Sequence, residues 1–181
     1  RLAPEAQRVL EASAVLAGPA TAPVLAATAA LDEDETRHGL AAALASRLLR
    51  EASPGRFVFR HVLALLAVYE AIPVSERRQL HGRAARSLER VAPQPVVQLA
   101  RHFREAHEIE SWARYAEAAA DVAVESGDDR AAVALLHELL VATNHPAEVH
   151  GRLARKLAQA ATVGVSAHGD MGERVAESLR T

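Results

Sequence analysis

Nine histidines, 21 basic residues and 23 acidic ones are the side chains through which this chain could do chemistry. Metal binding is the first chemistry to weigh, because imidazoles on a helix share one ion only when their spacing puts them on one face. His102 with His107 and His145 with His150 are each five residues apart, which turns the two rings to different faces, so no metal site is expected. Phosphate chemistry needs a glycine-rich loop of the G-x-x-x-x-G-K-[ST] or G-x-G-x-x-G kind, and neither occurs. The G-x-S-x-G nucleophile elbow and the H-E-x-x-H zinc helix are missing as well. With no cysteine in the chain, thiolate chemistry, disulfides and cysteine-ligated zinc are closed to it, which fits a reducing cytoplasm. The expectation is a non-enzyme with no catalytic residue, no metal and no cofactor of its own.

The arginines offer a different chemistry. Arg77, Arg78, Arg83, Arg86 and Arg90 make one helical stretch basic, and Arg101 and Arg104 continue it. Phosphate contacts would use such a row, but the formal net charge of -2 leaves no excess of positive charge to hold a nucleic-acid backbone. The expected reading is a solvated face balanced by Glu76, Glu89 and Glu105. Upstream, Glu33, Asp34 and Glu35 outnumber Arg37 at the start of the helix that a DNA-binding module would use to read bases. DNA binding by this segment is therefore disfavoured; it survives as the alternative of a winged helix with a dimerising helical tail.

The elements that must position these residues are helical. Half of the residues are apolar while aromatics make up 3%, and alanine recurs throughout, a composition for closely packed helices. Pro4 opens a first helix with Ala6, Val9, Leu10, Ala14 and Leu16 on its buried side, stopped by Gly18-Pro19. Pro23 opens a second through Ala30, and Asp32 caps a third whose first turn carries Glu33, Asp34 and Glu35. Leu48-Leu49-Arg50-Glu51, a turn at Ser53-Pro54-Gly55, and Arg56-Phe57-Val58-Phe59 read as a hairpin. Three helices followed by a hairpin predict a winged-helix-like module over residues 1–72.

From Val62 onward the period is helical. Stripes over Val62 to Tyr69, Leu80 to Val91, Val96 to Phe103, Trp112 to Ala123, Ala132 to Leu140 and Val149 to Ala160 predict antiparallel helical pairs of tetratricopeptide-like type over residues 73–181. Gly127-Asp128 breaks and caps, Gly164 is expected to close a pair, and Gly169-Asp170 echoes Gly127-Asp128 before a helix carrying Val175, Ala176 and Leu179. That offset, 127 to 169, exceeds the usual repeat of about 34 residues.

Two segments invite partners. Val62 to Val68 is apolar on every side, so it needs cover on more than one face, from within the chain or from a neighbouring domain or second copy. It is far too short to span a bilayer, and no membrane role is expected. Trp112 and Tyr115 could line a small-molecule sensor pocket among the later helices. His61, taken alone, reads as a structural residue at a helix start. Because Arg1 comes first and Met171 is the sole methionine, the chain reads as part of a larger protein.

Leu48-Leu49-Arg50-Glu51, Phe57-Val58-Phe59-Arg60-His61, Tyr69-Glu70-Ala71-Ile72-Pro73, Arg77-Arg78-Gln79-Leu80-His81 and Ala84-Ala85-Arg86-Ser87-Leu88-Glu89 follow one another in an order worth noting. Together with Leu99-Ala100-Arg101-His102-Phe103, Ala113-Arg114-Tyr115-Ala116 and the stretch from Gly127-Asp128 to Leu140, the set resembles the region behind the ATPase core of large ATP-binding LuxR-type regulators. These are signal-transducing ATPases with numerous domains, and the resemblance spans residues 1 to 143. It implies an upstream P-loop ATPase domain as a partner, ATP or ADP bound in the parent protein rather than here, and a regulatory protein or small-molecule inducer at the helical repeats. It also implies that His61 approaches the nucleotide; the apolar helix from Val62 is the expected interface, with Leu65, Leu66, Tyr69, Arg77 and Arg78 as its interaction residues. The chain departs from the family pattern at Leu65-Leu66, where a polar Arg-Glu pair is usual, and at Ala20, where an aromatic is common.

Overall fold

The structure is a computed structural model that describes residues 2–144 and 146–178. It is mainly helical, with one small antiparallel sheet. Packing divides it into two compact units, the first running to Glu108 and the second beginning at Ile109.

The first unit is built around α1 (Pro4–Leu16). Pro4 occupies its first turn, where a missing N–H costs nothing. Every residue from Ala12 to Leu16 is buried, because α2 (Ala22–Ala29), α3 (Glu33–Ala45), α4 (Val62–Ala71) and α5 (Val74–Leu88) all pack on this helix. Asp32 and Glu35 close a capping box at the start of α3: the Asp32 side chain accepts from the Glu35 N–H, and the Asp32 N–H donates to Glu35 Oε2. Gly39 lets α3 approach α1, since a Cβ there would stand 2.7 Å from the Glu5 carbonyl oxygen.

The hairpin falls where the sequence placed it, with β2 (Leu49–Ser53) antiparallel to β3 (Arg56–Phe59) and Leu49 paired with Phe59. A third strand, β1 (Ala20–Thr21), adds to the other edge of β3 through Ala20 against Phe57. It was not anticipated, because a strand of two residues, Ala20 and Thr21, carries no alternation to read. After α4 come α5 and α6 (Val96–Glu105), which pack on each other. The first unit extends well past residue 72, because α5 also packs on α1 and α2 and shares their core through Leu80, Ala84, Ala85 and Leu88.

The second unit consists of α7 (Ile109–Glu125), α8 (Asp129–Ala142) and α9 (Ala147–Ser178), with α8 packed on both neighbours. Trp112, Ala116, Ala119, Ala120, Leu136, Leu139 and Leu153 form its buried side. Gly127 turns with φ 77° and Asp128 caps α8 by accepting from the Ala131 N–H, as expected from the Gly-Asp pair. The second Gly-Asp pair behaves differently: α9 continues through Gly164 and Gly169-Asp170 as one helix, so neither closes a pair nor opens a new element. A glycine interrupts a helix only when its surroundings favour the break, and here helical neighbours flank it on both sides. Leu179, expected to end that last helix's apolar stripe, and His145 lie outside the described residues.

Candidate functional site

The residues expected to form an interaction surface fall on α4 and the first turn of α5, with contrasting exposure. Val62 is 68% exposed, Leu63 76% and Leu66 45%, while Leu65 and Tyr69 are half-buried. No residue of α4 itself is fully buried, although nearly all of them are apolar. Ile72, immediately after the helix, is buried and fixes its C-terminal end. Of the two coverings the sequence allowed, the first unit supplies α1 and a touch of β3, with Tyr69 reaching α5.

His61 stands at the N-cap of α4, exposed, with extended backbone and no hydrogen bond from its side chain to the helix N-terminus. Its carbonyl accepts from the Ala64 and Leu65 N–H groups, so its main chain caps the helix and its imidazole does not. Arg78 is exposed, while Arg77 is half-buried with its guanidinium carbon 4.7 Å from the centre of the Tyr69 ring.

Behind Tyr69 lies a polar chain that the sequence did not single out. The Tyr69 hydroxyl lies 3.1 Å from His81 Nε2, and His81 Nδ1 lies 2.9 Å from His102 Nδ1. Both imidazoles are buried, His81 on α5 and His102 on α6, their ring centres 5.0 Å apart. Two facing Nδ1 atoms can hold only one proton between them. Either Tyr69 O–H donates to His81 Nε2 and His81 Nδ1–H donates to His102, or His102 Nδ1–H donates to His81 and His81 Nε2–H donates to Tyr69. Each arrangement leaves His102 Nε2 at the end of the chain, one of three buried polar atoms without a partner among the described residues. Such an orphan costs about 1–3 kcal/mol, which the packing around it must offset.

Protonating this pair is disfavoured for the same reasons. Burial pulls His81 down to about 4, helped by the charges of Arg101 and Arg77. Burial likewise pulls His102 down to about 3, with His81 and Arg101 adding to it. Both rings are therefore neutral at pH 7. In the sequence His102 could be weighed only against His107, five residues on, and His81 stood out only beside Leu80; no sequence spacing links residues on two helices.

Two of the arginines of α5 and α6 reach backbone carbonyls. Arg83 Nε donates to the Thr28 carbonyl at 2.7 Å, and Arg101 donates to Val15 at 3.2 Å, each near a helix C-terminus. Arg8 does the same for Ala29 and Ala30. Arg86 does pair with an acid, Glu108, at 2.8 Å. Helix ends present carbonyls that only a donor can satisfy, and arginine reaches them from a neighbouring element.

In the second unit the charges pair across helices. Arg152 of α9 donates to Glu117 of α7, and Lys156 bridges Glu117 and Asp121. Burial alone would raise Glu117, but hydrogen bonds from Lys156 and Arg152 outweigh it and hold the carboxyl low. Burial would lower Lys156, and its bonds to Asp121 and Glu117 raise it instead. Trp112 is fully buried and Tyr115 half-buried.

Among the described residues no helix is long and apolar enough to cross a membrane. Compared with protein-family models, with curated proteins and with solved structures, the chain matches none.

Proposed function

We propose that this chain is a non-catalytic binding and relay segment of a cytoplasmic, ATP-dependent bacterial transcriptional regulator of the LuxR type. The observation that carries the reading is α4, an apolar helix with Val62, Leu63 and Leu66 exposed and nothing of its own buried. In this reading the face docks on the upstream ATPase domain of the same protein, while Arg78 and the exposed His61 flank it and His61 reaches toward the bound ATP or ADP. The order of three helices and an antiparallel hairpin supports a winged-helix unit.

A tetratricopeptide-like character for the later helices is supported by the ion pairs. Arg152 meets Glu117 and Lys156 meets Asp121, each 35 residues upstream, close to the repeat of about 34. A regulatory protein or small-molecule inducer bound at those helices would bias a two-state docking equilibrium that nucleotide biases from the other side.

Binding to the parent's ATPase segment and, separately, to duplex DNA across a salt series tests the proposal. Leu66→Glu, at a position open to solvent, is expected to weaken ATPase docking at least tenfold, with no DNA retained. Tight DNA binding with a steep salt slope and no ATPase docking would replace this reading with the DNA-binding one.

A further inference from the structure

The way α4 is attached differs from the way every other helix of the first unit is attached. Alone among the first unit's helices it has no buried side chain, and it carries no side-chain N-cap. A helix of ten residues is marginal unless packing supports it, and support here comes from α1 and a touch of β3. The α5–α6 pair behind it is held by Leu80, Ala84, Leu88, Leu99 and Phe103, all buried. Between the weak element and the strong one runs a directional polar link, from the Tyr69 hydroxyl to His81 at 3.1 Å and on to His102 at 2.9 Å.

The geometry points to Tyr69 as a clasp: α4 is a separately opening element, held closed on the α5–α6 pair by the hydrogen bond between the Tyr69 hydroxyl and His81. Opening would leave the rest of the first unit folded. Three features support it. The hydroxyl is the tip of the chain, so it can leave without breaking the His81–His102 contact. Arg77 lies on the Tyr69 ring, 4.7 Å from its centre, and gives the same residue a second contact with α5. The groove lined by Leu10, Leu48, Val68 and Ala71 already separates α4 from α1 along part of its length, so opening widens an existing space instead of tearing a core. Buried Ile72 at one end and the β3 strand at the other remain as anchors. The inference concerns the chain alone and stands apart from any docking partner.

Native-state amide hydrogen exchange on the whole chain, with nitrogen-15 shifts of the histidine rings, tests it. Tyr69→Phe keeps the ring and removes only the oxygen. Exchange of the α4 amides should rise on the order of tenfold, while α1, α5 and α6 amides keep their wild-type rates and the His81 Nε2 resonance moves. Arg77→Gln, which keeps the hydroxyl, should give a smaller rise confined to the same amides. A displaced His81 resonance with unchanged α4 exchange would overturn the clasp, since the bond would then exist without holding anything. Equal acceleration of α1, α4 and α5 would overturn it too, because α4 would then open only with the whole unit.

Discussion

Helices α4 and α5 sit side by side in the chain and reverse what their compositions suggest. The apolar one, Val62 to Ala71, buries none of its residues, whereas the arginine-rich one, Val74 to Leu88, buries seven, including a histidine and a serine. Hydrophobicity without a face gives a helix nothing to orient by. In α5 the apolar and small residues Leu80, Ala84, Ala85 and Leu88 recur at three- and four-residue steps, so one stripe meets α1, α2 and α6 while the arginines reach outward or cap a neighbour. Periodicity, more than total apolar content, decides which helix joins the core.

Truncating a buried side chain of α5 should have the largest effect. Leu80→Ala should destabilise the first unit by about 2–5 kcal/mol, because Leu80 is 3% exposed and leaves a cavity. Urea titration followed by amide resonances of residues 2–108 would measure it, and a cost under 1 kcal/mol would show that α5 is not core.

Acid sharpens the same contrast. His81 and His102 have folded values depressed to about 4 and about 3 from an ordinary value of 6.5. The unfolded chain therefore takes up protons first as pH falls. Their contribution is fully present above pH 6.5 and is lost as pH falls from there through 4 toward 3, by roughly 1–2 kcal/mol for each histidine at pH 5. Urea midpoints between pH 7.5 and 5, compared with those of His102→Gln, would show the slope; identical profiles would mean that the pair is open to water.

The smallest effect belongs to α4. Leu63→Ser should change the stability of the isolated chain by no more than about 0.5 kcal/mol, since Leu63 is 76% exposed. A loss above 1 kcal/mol in thermal unfolding would mean that α4 is covered in solution.

Much of this architecture is written locally. Asp32 with Glu35, Asp128 before α8, Pro4 at the start of α1 and the Ser53-Pro54-Gly55 turn each act within a few residues, and each element begins or turns where they stand. What escaped reading depends on distance. The β1 strand exists because β3 offers an edge to Ala20 and Thr21, and the His81–His102 contact spans 21 residues between two helices. The arginines show the same limit. Their acids at Glu76, Glu89 and Glu105 were nearby in sequence, but Arg83 and Arg101 find carbonyls 55 and 86 residues upstream. On α4 the sequence identified the apolar surface and named Leu65 with Leu66, and the fold separates the two, leaving Leu66 outward and Leu65 half-covered.

The ion pairs between α7 and α9 have a consequence for how two helices that both pack on α8 keep their alignment. Ala116, Ala119, Ala120 and Ala123 form a buried side of small, nearly identical residues on α7, whose packed neighbour is α8. Glu117 and Asp121 are one turn apart, as are Arg152 and Lys156, so the two pairs act like a vernier. A slip of α9 by four residues toward the start of α7 would carry Arg152 opposite Ala113, where no charge waits, whereas a slip the other way would set Arg152 against Asp121 and Lys156 against Glu125. Packing on α8 supplies the adhesion, and the charges act as a one-way stop that resists a slip toward the start of α7 and lets the other pass from one acid to the next.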